Sequence, residues 1–151
     1  MKLYQRLIIF SLLLLWTAGI FYSCWLDLFN FLIYGYPIVK NTYSLVCHQD
    51  PAKLINFSCG NSFVCARCLG IYTGLLINSF LHIFHEIKLK KDFRLVLLAT
   101  VPMFVDVVSV AAGIYDYSKT IAFITGLLFG SILFLYLYNG LQNLIIEIFK
   151  R

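Results

Sequence analysis

The chain has 151 residues, of which 61% are hydrophobic and 13% charged, with a mean hydropathy of +0.85 and a formal net charge of +5. That balance excludes an ordinary soluble domain. The basic excess forms no stripe or recognition motif for nucleic acid, and H-E-x-x-H, G-x-S-x-G and phosphate-cradling glycine loops are all absent, so the usual hydrolase and nucleotide-enzyme signatures lack support.

Leu7 to Leu26 carries no charge across 20 residues, enough to cross a hydrocarbon core of about 30 Å as a helix. Lys2 and Arg6 before it also fit a signal peptide, but the run ends in bulky Phe21-Tyr22, which argues for a retained span. Leu28 to Val39 is apolar yet too short to cross, and reads as an interfacial or re-entrant helix; Tyr34, Tyr36 and Tyr43 suit the headgroup level. Asn41 to Ser62 reads as loop. The second span is expected over about 64–85, followed by the basic turn Lys88-Leu89-Lys90-Lys91. The third is expected over 95–115, with Pro102 inside it, and the fourth over 120–146 after the short turn Asp116 to Lys119, with a frayed end around Asn139 to Phe149. The reading is a single all-α domain of four transmembrane helices plus one short interfacial element.

Lys and Arg set the orientation. Lys2, Arg6, Lys88, Lys90, Lys91, Arg94, Lys150 and Arg151 fall on one side, which places both termini in the cytoplasm and the cysteine-rich loop outside the inner (cell) membrane. The bilayer is the expected partner; a homo-oligomer stays open. Gly70–Gly74 and Gly126–Gly130 are small-x-x-x-small motifs at matched depth in two parallel spans, which points to close approach of those helices.

The chemistry concentrates in Cys47-His48-Gln49, Cys59 and Cys65-Ala66-Arg67-Cys68, four of the five cysteines within 22 residues. Cys65 and Cys68 share one face at the start of a helix, where unpaired N–H groups and the helix dipole favour thiolates. Three readings follow. Cys47, Cys59, Cys65 and Cys68, with His48 as alternate donor, form a tetrahedral zinc-type site. Cys65 and Cys68 instead cycle as a dithiol with Cys47 or Cys59 as shuttle, making an oxidoreductase. Or the four cysteines are two static disulfides. His48 favours the metal reading, because a disulfide framework has no need of an imidazole. Whether the chain is an enzyme is left open.

Asp106 lies twelve residues into the expected third span, where a charged carboxylate costs roughly 2.5–3.5 kcal/mol. It is expected to be protonated, paired with Arg67, hydrogen-bonded to Tyr72 or bound to a cation; Asp106 and Arg67 are the candidate catalytic residues. His82, His85 and Glu86 lack a third strong ligand and read as a solvated interfacial group.

Cys47-His48-Gln49, then Val64-Cys65-Ala66-Arg67-Cys68-Leu69-Gly70-Ile71-Tyr72-Thr73-Gly74, then Asp106, then Thr125-Gly126-Leu127-Leu128-Phe129-Gly130, resembles a family of small bacterial membrane proteins, domain of unknown function 2085. The resemblance runs from about Tyr43 to Gly130 and implies a multi-span prokaryotic membrane protein, with no activity attached. Two positions depart from the family pattern. Val107 stands where Gly often follows the acid, and Ala122 where an Arg precedes Thr-Gly. If that Arg pairs with the acid elsewhere in the family, Asp106 needs another partner here.

Overall fold

The structure, a computed structural model, describes residues 3–84 and 93–149. Four of its helices are long and apolar enough to span a bilayer: α1 (Leu3–Ile20), α4 (Ala66–Phe84), α5 (Phe93–Ala111) and most of α6 (Lys119–Phe149). The first span therefore ends earlier than expected. The chain breaks at Phe21, and α2 (Tyr22–Leu28) follows as a separate short helix. A 3-10 turn (Asn30–Gly35) leads into α3 (Tyr36–Ser44), where Pro37 occupies the first helical turn. Proline is pre-organised there and needs no N–H partner, so it suits the start of a helix. The backbone of α6 stays helical through the stretch expected to fray. The expected basic turn Lys88 to Lys91, and His85 and Glu86, lie outside the described residues.

The stretch Asn41 to Ser62, expected to be loop, contains the end of α3 and most of an antiparallel hairpin, β1 (Leu54–Phe57) and β2 (Gly60–Cys65). Gly60 sits at φ 133°, a backbone region open to glycine, which lets the chain turn back. Ser62 Oγ accepts the Ile55 N–H at 3.0 Å and donates to Val64 O at 2.8 Å, satisfying backbone groups in the buried part of the hairpin. β2 runs straight into α4, so the second span starts at Ala66. With α2 and α3 the hairpin forms a cap over one end of the bundle, its core built by Ile20, Tyr43, Cys47, Phe63, Val64 and Leu69. Tyr43 Oη donates to Trp16 O; burial pushes its hydroxyl up to about 12.

Cys59, at the hairpin turn, is disulfide-bonded to Cys24 of α2, and Ser23 Oγ donates to Asn61 O at 3.1 Å beside it. The bridge closes a loop of sequence separation 35. Loop-closure entropy on that scale contributes about 2–4 kcal/mol. Cys24→Ser is expected to lower the melting midpoint accordingly. Thiol titration of the unfolded, unreduced protein should find three reactive groups, rising to five after reduction.

α4 and α6 form the central and most extensive helix pair, with α1 packed mainly on α4 and α5 mainly on α6. The matched glycine motifs make that pair. A Cβ at Gly70 would meet Phe123 O, at Gly74 Leu127 O, at Gly126 Arg67 O and at Gly130 Ile71 O, all backbone atoms of the facing helix. Backbone cannot yield as a side-chain tip can. Gly70→Ala and Gly130→Ala are each expected to destabilise by about 1–3 kcal/mol, an overpacking cost. Gly140→Ala, where a Cβ meets nothing within 4 Å, should be neutral or gain up to about 1 kcal/mol from helix propensity. Thermal melts in detergent would separate the two cases.

At the opposite end of the bundle His82 is buried, not solvated as expected. Its ring meets Tyr138 edge-on at 4.0 Å between centroids, and Arg6 Nη1 donates to His82 O at 3.2 Å. A ring placed between α4 and α6 is removed from water by packing that sequence alone does not reveal.

Candidate metal centre

Cys47, Cys65 and Cys68 reach one place from three elements: the turn after α3, the last residue of β2 and the first turn of α4. Their sulfurs all lie within 4.8 Å of one another, and all three thiols are free. The Cys65 N–H donates to Cys47 Sγ at 3.1 Å. Thiol hydrogen bonds from Cys65 and Cys68, aided by backbone N–H groups of Cys65 and Gln49, hold Cys47 far below the usual thiol range. Donors that converge on a sulfur favour its anionic form, the form that binds metal.

Gln49 explains why an amide follows Cys47-His48. Its backbone is left-handed (φ 52°), and its Nε2 donates to Lys40 O at 3.1 Å and Phe63 O at 3.0 Å. It thereby ties the turn carrying Cys47 to both α3 and β2. If the three sulfurs hold a metal, Gln49→Ala is expected to weaken its binding by about 10–100-fold, the range for residues that orient ligands, while leaving metal stoichiometry at saturation unchanged. Competition with a chromophoric chelator would read it.

Two expected ligands fall elsewhere. Cys59 is committed to Cys24, because the hairpin turn faces α2 instead of the sulfurs. His48 is exposed and outside the sulfur group, since the chain swings away at Gln49. No described residue replaces them within that group.

Asp106 does find Arg67. Arg67 Nη2 donates to Asp106 Oδ2, and the carboxylate is 3% exposed against 18% for the arginine side chain. Its other oxygen accepts from Tyr115 Oη; Tyr72, the alternative considered, lies instead against Trp16. Asp106 is also shallower than expected. α5 ends at Ala111, five residues beyond it, so the acid sits near the capped end and close to the depth of Arg67. The Asp106 hydrogen bond pushes the Tyr115 hydroxyl up. Tyr117 lies over the same corner, with Arg67 Cζ at 6.0 Å and Lys53 Nζ at 5.9 Å from its ring centroid. Burial, then the charge of Cys65, raises its hydroxyl to about 12.

Tyr115, Tyr117 and Cys24 are the residues that sequence reasoning missed, and Gln49 was named within its motif without a role. The two tyrosines sat in what read as a mere connecting turn. An odd fifth cysteine was the only signal for Cys24.

Comparison with known proteins agrees that the chain is a membrane protein. An uncharacterized protein of Methanocaldococcus jannaschii is 34% identical over 113 residues, covering 72% of this chain and 71% of that protein. The relative is archaeal, so the likeness is not confined to bacteria. No solved structure matches. The family described as "Predicted membrane protein (DUF2085)" matches residues 47–136, which hold every free cysteine together with Arg67, Asp106, Tyr115 and Tyr117, and the chain belongs to that family.

Proposed function

We propose that this membrane protein holds a metal ion, zinc in type, on Cys47, Cys65 and Cys68. The observation that carries the reading is the mutual approach of three free sulfurs within 4.8 Å. A tetrahedral ion with metal–sulfur bonds of about 2.3 Å needs sulfurs roughly 3.8 Å apart, within reach of small side-chain adjustments. The donor set also fits chemically: thiolates suit zinc and other thiophilic ions, and hydrogen bonds already favour an anionic Cys47. When bound, such an ion supplies a Lewis-acid centre. The chain's own Arg67–Asp106 pair and Tyr117 provide the polar wall beside it.

The positive-inside pattern supports a single four-span domain with both termini cytoplasmic and the capped end facing outward across the inner (cell) membrane. Elemental analysis of protein purified without chelator tests the metal reading directly. About one zinc per chain is expected; a metal-free preparation with three reactive thiols would sink it.

One observation keeps the oxidoreductase reading alongside: Cys47 lies within the same sulfur group as the Cys65–Cys68 dithiol. That mechanism predicts that Cys65→Ser or Cys68→Ser traps a mixed disulfide with a client protein.

A further inference from the structure

The sulfur group supplies three protein ligands, one fewer than a closed structural zinc site. The cysteine that would have completed it is locked to Cys24, and the neighbouring histidine is exposed outside the group. A second, independent observation comes from Arg67, which adjoins Cys68 in the first turn of α4, and from Tyr117, which lies over it. Arg67 Nε and Tyr117 Oη are both buried, and neither has a hydrogen-bond partner among the described residues. Buried donors are nearly always satisfied, so two orphans on one wall mark a place where a ligand atom is expected. Arg67 lies between Cys65 and Cys68 in sequence, and its guanidinium faces the Tyr117 ring at 6.0 Å. Its charge is already matched by Asp106, so the wall offers hydrogen bonds more than surplus charge.

We propose that the metal site is open, and that its remaining position takes a small exogenous oxygen- or nitrogen-donor ligand held by Tyr117 and Arg67. The inference rests on the metal reading of these sulfurs and adds that the centre is a binding site, not a structural rivet. Tyr117 is then a positioning residue: it orients what the metal binds without being a ligand.

Cobalt(II)-loaded full-length protein in detergent tests both levels separately. X-ray absorption should find three sulfurs and one light atom around the metal, and the light atom should persist in His48→Ala. Azide, a small donor that also accepts hydrogen bonds, should shift the visible cobalt spectrum. Tyr117→Phe should keep the cobalt stoichiometry and the sulfur charge-transfer bands, yet weaken azide by about five- to tenfold, the loss of one hydrogen bond. A light atom that disappears in His48→Ala overturns the proposal, because the shell is then closed by protein. So does a cobalt spectrum indifferent to azide, or equal azide affinity in Tyr117→Phe. Failure to bind cobalt at all would overturn the metal reading itself, a distinguishable result.

Discussion

Asp106→Ala is expected to destabilise the folded protein by about 3 kcal/mol, the lower end of the range for stranding one member of a buried ion pair. The carboxylate is 3% exposed and touches both Arg67 and Tyr115, so its removal leaves a guanidinium and a hydroxyl without their acceptor. The lower end applies because the arginine side chain is 18% exposed and water softens the loss. Arg67→Ala should cost more than that, since it leaves the deeper charge uncompensated. The double change Arg67→Met with Asp106→Leu should recover most of the stability, because matched apolar groups remove the desolvation cost along with the attraction. Melting midpoints in detergent for the three variants decide the matter. Losses equal to the sum for Arg67→Met and Asp106→Leu made singly would show that the two side chains do not act as a pair.

Cys65→Ser or Cys68→Ser should weaken zinc by at least about a hundredfold. A structural zinc site is worth roughly 10–16 kcal/mol in total, so one ligand of three or four accounts for about 3–5 kcal/mol. Cys59→Ser should leave zinc affinity within a few-fold of wild type while losing the stability of the disulfide. That contrast separates the two kinds of sulfur in one chain. Equal zinc loss in Cys59→Ser and Cys65→Ser would mean that the sulfurs work as one set, and the three-ligand assignment would fall. Chelator competition on refolded, correctly oxidised protein gives the affinities.

Hydropathy made the four spans legible because apolar length is a local property that each helix carries by itself. The approach of α4 to α6 was also legible, since glycines at matched depth need no further information than direction and start point. The cap was not. β1 and β2 are short, their pairing is non-local, and no alternation of polar and apolar residues marks them within a polar stretch. The placement of Asp106 erred for a related reason. The run Leu95 to Tyr115, charged only at Asp106, looked like helix, whereas α5 stops at Ala111 and Tyr115 folds back onto the acid. Pairing with Arg67 was among the expected alternatives, but only the shared depth of α4 and α5 makes it reachable. Disulfide connectivity cannot be read from cysteine order, so Cys59 looked like a ligand until Cys24 claimed it.

The glycine contact between α4 and α6 leaves no layer of side chains on which those helices could slide, so together they act as a keel. Arg67 and Cys68 ride on that keel, and Cys65 adjoins it at the strand-to-helix junction. Cys47 alone arrives on a separate leash, tethered through the Gln49 amide. The three sulfurs therefore meet only while that separate segment is held against the start of α4, so their grouping depends on the buried core of the cap as much as on the helix pair.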